Sequence, residues 1–75
     1  MSVLPRVSGR ELVAALTRAG YEEDRQKGSH IVLRKSEPPH RRVVVPDHRE
    51  IAKGTLRAII KQAGLTVEEL VKLLG

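Results

Sequence analysis

The sequence predicts an α+β domain, an α-β-β-β-α unit resembling one open-faced antiparallel sheet with helices on its other face, followed by an additional C-terminal helix. Three observations carry that expectation. Two S/T-x-x-E capping boxes and two glycine stops bracket segments of helical periodicity. The stretch between the first two helices is rich in β-branched residues and punctuated by turn residues. The tight turn inside that stretch implies a three-stranded meander, and the helix-strand-helix order suits a sheet covered on one side only.

The first helix starts at Ser8, an N-cap with Glu11 three residues on, and Val7 and Leu12 stand where a hydrophobic staple needs them. Leu12, Val13, Ala15, Leu16 and Ala19 form its apolar face until Gly20. Tyr21 to Gln26 is a charged strand candidate, followed by a Lys27-Gly28 turn and the stronger run Ser29 to Arg34. Ser36-Glu37-Pro38-Pro39-His40 reads as a connector, and Arg41 to Val45 as a strand closed by Pro46. A second helix begins between Ala52 and Thr55, with Leu56, Ile59, Ile60 and Ala63 at i, i+3, i+4, i+7 and Gly64 as its stop. The third helix has the Thr66/Glu69 capping box, the Leu65/Leu70 staple and a stripe of Val67, Leu70, Val71 and Leu74.

Seventy-five residues make one domain, 1–75, with a core over about 8–64 and the extra helix over about 66–74. At this size folding hides only about 60% of the surface of the unfolded chain. The absence of cysteine excludes disulfide staples, thiol catalysis and Fe–S clusters, and fits a reducing cytoplasm. No apolar stretch has the length of a signal peptide or membrane span, so a soluble, cytoplasmic protein with no membrane partner is expected. A formal charge of +5 suggests a polyanionic partner such as nucleic acid, though an acidic protein would answer the same field. Tyr21 is the single aromatic residue, which argues against a platform of stacked bases.

The period of two along the middle strand separates Ile31 and Leu33 from His30, Val32 and Arg34. If the aliphatic pair faces the helices, His30 points outward beside a glycine turn and among cations. That setting suits RNA cleavage by attack of the 2′-hydroxyl on the adjacent phosphate, since histidine changes charge near neutrality and moves protons without a metal. Arg25, Lys27, Arg34 and Lys53 are the candidates to stabilise the transition-state charge. A lone histidine on a small domain is more often a surface or packing residue than a catalyst, so spacing alone does not carry the assignment. His48 reads equally as a second acid/base group or as a solvated turn residue, and His40 receives no role. No histidine spacing matches a metal site, and neither metal nor cofactor is expected. Lys53-Gly54-Thr55 opens the second helix, where free N–H groups can hold a phosphate, although glycine and threonine there are also ordinary capping chemistry.

Gly20-Tyr21, Lys27-Gly28-Ser29-His30, Val45-Pro46-Asp47-His48 and the run Gly54 to Gly64 (GTLRAIIKQAG) closely resemble, in order and spacing, the HicA (YcfA-like) toxins. The resemblance implies a fold like the double-stranded-RNA-binding domain and metal-independent mRNA interferase activity, that of an endoribonuclease toxin in a type II toxin-antitoxin system. It carries the catalytic role onto His30, and the adjoining Lys27, Gly28 and Ser29 are candidate RNA or phosphate contacts by their place in the sequence. It also implies a HicB-type antitoxin partner. Two other readings stay open at the level of sequence: a non-catalytic duplex-RNA-binding module and a protein-interaction domain with an acidic partner.

Overall fold

The computed structural model describes residues 3–75. Met1 and Ser2, part of the amino terminus read above for a signal segment, lie outside that range. The elements are α1 (Gly9–Arg18), β1 (Tyr21–Lys27), β2 (His30–Lys35), β3 (Arg42–Pro46), α2 (Lys53–Ala63) and α3 (Val67–Leu74). This is the expected α-β-β-β-α order with an added helix. The strands form one antiparallel sheet in the order β1-β2-β3.

Local chemistry explains the helix boundaries. Both capping boxes form: Ser8 Oγ accepts from the Glu11 N–H at 3.0 Å while Glu11 Oε1 accepts from the Ser8 N–H at 2.8 Å. Thr66 and Glu69 repeat the exchange at 3.1 and 2.8 Å. The start of α2 differs, for its N-cap is Ala52 and no side chain caps it. Thr55 lies inside the helix rather than at its cap.

A period of two divides the sheet, with one departure in burial, since Val32 is buried although it belongs to the open face. Ile31 and Leu33 of β2 and Val43 and Val45 of β3 are fully buried under Leu12 and Leu16 of α1 and Leu56 of α2. Leu70 of α3 closes the same core. The expected α3 stripe is narrower than its periodicity suggests: Val67 and Leu74 are only half-buried, and Val71 is 47% exposed. Leu73 packs against the core in its place. The helix has eight residues and lies against α1, where the Arg18 guanidinium donates to the Leu73 carbonyl, so only a narrow face is covered.

Candidate functional site

The site grows from an irregularity in β1. Tyr21 pairs with Lys35 and is buried, so Glu23 follows it on the helix side of the sheet. In a regular strand Arg25 and Lys27 would share that side. Instead the ladder pairs Glu23 with Leu33 and Arg25 with Val32, leaving Asp24 as the extra residue of a β-bulge. A bulge resets the alternation. Arg25 and Lys27 therefore turn to the open face, in register with Val32 and His30.

A two-residue turn, Gly28-Ser29, then connects the paired Lys27 and His30. Gly28 has φ +60°, and Ser29 is not among the positive-φ residues, the arrangement of a type II′ hairpin turn, whose first central position favours glycine. No atom crowds the place where a Cβ would stand on Gly28, so backbone conformation is what requires glycine here.

His30 is exposed at the start of β2, beside its β3 partner Pro46. Among the described residues its ring has no hydrogen-bond partner, leaving both nitrogens available. With Arg25, Lys27, Gly28, Val32, Arg42 and Val44 it lines a shallow depression of about 480 Å³ on the open face. The floor is aliphatic, since Val32 and Val44 are paired across β2 and β3. Arg25, Lys27 and Arg42 supply positive charge, no carboxylate lines the depression, and none of the three cations has an ion-pair partner among the described residues. An imidazole beside three available cations can exchange a proton next to a bound phosphodiester.

Some residues singled out from the sequence gather here and others do not. Arg25, Lys27, Gly28 and His30 come together. Ser29 belongs to the turn, and its carbonyl accepts from the Asp47 N–H at 2.7 Å. Arg34, on the same face as His30, lies toward the far end of β2, where its guanidinium is 3.9 Å from Asp24 in a depression shared with Glu22, Glu23 and His40. His48 is exposed two residues beyond Pro46, and its carbonyl accepts from the Gly9 N–H at 2.8 Å. Lys53 is exposed at the first turn of α2 and does not line the depression. Sequence reading missed Arg42 and Val44, whose place beside His30 depends on the β2–β3 register. Alternation in β3, which buries Val43 and Val45, was the available signal.

Residues 9–65 match a family model described as the HicA toxin of bacterial toxin-antitoxin systems. The chain belongs to the HicA toxin family. The match runs from the first residue of α1 to just beyond α2, and so includes the bulge, the turn and every residue lining the depression. No curated protein matches the chain. Membership in the HicA family makes the chain the toxin of a toxin-antitoxin pair, with an antitoxin as its partner. Among the described residues no helix is long and apolar enough to cross a membrane.

Proposed function

We propose that this HicA-family toxin is an endoribonuclease that cuts mRNA by metal-independent acid/base chemistry at His30. One observation carries the reading: an exposed imidazole stands on the open sheet face among Arg25, Lys27 and Arg42, with no carboxylate in its depression. His30 takes the proton of a ribose 2′-hydroxyl as that oxygen bonds to the adjacent phosphorus. The bond from phosphorus to the 5′-oxygen breaks, and the departing oxygen gains a proton. His48 is the candidate donor, being the histidine nearest in sequence to Pro46, the strand partner of His30. His40 stands by the opposite end of β2, with Nδ1 3.1 Å from the Lys35 carbonyl. The cations offset charge on the pentacovalent transition state, while the exposed Val44, standing beside its buried strand partner Val32, offers a base or ribose an apolar surface. Lys53 extends the positive surface toward more distant phosphates, whereas Arg34 stands among the carboxylates of Glu22, Glu23 and Asp24. A HicB-type antitoxin neutralises the toxin by covering this face, in a cytoplasmic setting.

The test is cleavage of single-stranded RNA by the purified protein in excess EDTA. Wild type cuts, and His30→Ala is slower by roughly a hundredfold or more. Equal rates for the two proteins, or loss of wild-type cleavage in EDTA, would overturn the reading. Growth arrest on expression of wild type but not His30→Ala checks the toxin role by the same route.

A further inference from the structure

The turn that delivers His30 is gripped from outside the depression. Gln26, the last residue of β1 before Lys27, lies on the helix side of the sheet opposite Ile31. Its Nε2 donates to the Gly28 carbonyl at 3.2 Å and to Asp47 Oδ2 at 3.2 Å. Its Oε1 accepts from Arg10 Nη2 of α1 at 2.7 Å. Because arginine only donates, the orientation of this amide follows from its partners. Asp47 then holds the turn a second time, through its own N–H to the Ser29 carbonyl at 2.7 Å. Both turn carbonyls are thereby bound, one by Gln26 and one by Asp47.

The α1 anchor of this network is itself fixed. A Cβ on Gly9 would lie 2.2 Å from the Pro46 carbonyl oxygen and 2.9 Å from Asp47 Cα, so the helix start sits directly against the exit of β3. The Gly9 N–H donates to the His48 carbonyl at 2.8 Å. Arg10 also approaches Asp47 Oδ2 at 3.5 Å and Glu23 Oε1 at 3.6 Å. Three separate parts of the chain thus converge behind four residues, Lys27 to His30.

We infer that Arg10, Gln26 and Asp47 form a clamp that positions His30 for reaction by immobilising the Gly28-Ser29 turn. The inference rests on the endonuclease reading above. None of the three lines the depression, so they are positioning residues that act through the backbone. Their side chains are substantially exposed, 55% for Arg10 and 31% for Asp47, and exposed ion pairs add little to stability. The aliphatic core already holds the strands together. What the clamp adds is a fixed place for the first residue of β2, and small displacements of a reacting group are expensive in rate.

The experiment compares wild type, His30→Ala, Asp47→Ala, Gln26→Ala and Asp47→Asn on one single-stranded RNA oligonucleotide, with backbone ¹⁵N relaxation recorded on each protein. Asp47→Ala and Gln26→Ala lower kcat by roughly tenfold to a hundredfold at unchanged KM, and loosen the amides of Gly28 and Ser29. Asp47→Asn, which keeps an oxygen to accept from Gln26, recovers most of kcat. An unchanged kcat in both alanine variants, a rise confined to KM, or an Asp47→Asn as slow as Asp47→Ala overturns the clamp. If one alanine variant does not fold, the other decides. Should His30→Ala cut as fast as wild type, the endonuclease reading fails instead, and the relaxation data alone judge the clamp: a loosened turn supports it and an unchanged turn overturns it.

Discussion

At the residue scale, Tyr21 shows how one side chain serves several levels of structure. It begins β1, is buried, and its hydroxyl donates to the Ala63 carbonyl at the end of α2 at 3.1 Å. Burial pushes the phenol above its ordinary value of 10.0, with the nearby Arg41 charge pulling partly the other way. A folded-state value raised above the unfolded one means that the stabilisation is complete below the unfolded value and is lost as pH rises through the folded one. Near neutrality Tyr21→Phe is expected to cost about 1 kcal/mol, because the Ala63 carbonyl loses its donor. Above pH ~10 that gap narrows, since wild type alone must ionise or hold a buried phenol neutral. Urea unfolding of both proteins across pH checks this, and a gap independent of pH would refute it. Tyr21 is the only aromatic residue, so tyrosinate absorbance follows it without interference. The sequence showed Tyr21 as a lone aromatic at a strand start, but its hydroxyl partner lies 42 positions away and was not legible. His30 was easier, because alternation against Ile31 and Leu33 is a local signal. Arg42 was harder, because only register brings it beside His30.

At the element scale, what was legible followed the range of the interactions that make each element. Capping boxes act over three residues, and both appear where Ser8/Glu11 and Thr66/Glu69 indicated. The bulge in β1 reconciles two distant demands, a buried Tyr21 opposite Lys35 and a Lys27 tied to His30, with one residue to spare between them. No pattern within the charged run Glu22-Glu23-Asp24-Arg25 announces it. Deleting a residue from the middle of a strand ordinarily turns its side chains to the wrong face. Deleting Asp24 removes only the spare residue, so Tyr21 and Lys27 keep their partners, and stability is expected to stay within about 1 kcal/mol of wild type. Deleting Val32 from the unbulged β2 forces Ile31 or Leu33 out of the core, and loss of cooperative folding is expected. Thermal unfolding with tyrosinate titration separates the cases. An Asp24 deletion that exposes Tyr21 would show that the bulge does not set the alternation.

At the scale of the whole molecule, a formal charge of +5 pointed to a polyanion but not to a place on the surface. The fold concentrates that charge: the bulge turns Arg25 and Lys27 outward, β3 adds Arg42, and the carboxylates of Glu22 and Asp24 collect around Arg34 at the other end of the sheet. Three available cations around one histidine set a quantitative expectation. A single-stranded RNA that meets Arg25, Lys27 and Arg42 releases counterions from about three phosphates, so the logarithm of affinity falls with the logarithm of salt concentration at a slope of about −2. Binding measured on His30→Ala, to avoid cleavage, reads that slope directly. Adding Arg42→Ala lowers it in magnitude by about 0.7, the increment for one contact on a single strand. Lys53 stands outside the depression, so only an RNA long enough to continue to α2 gains its contact, and removing Lys53 then lowers the slope by about 0.7. Affinity insensitive to salt, or a slope that Arg42→Ala does not alter, would show that the open face of the sheet does not bind RNA.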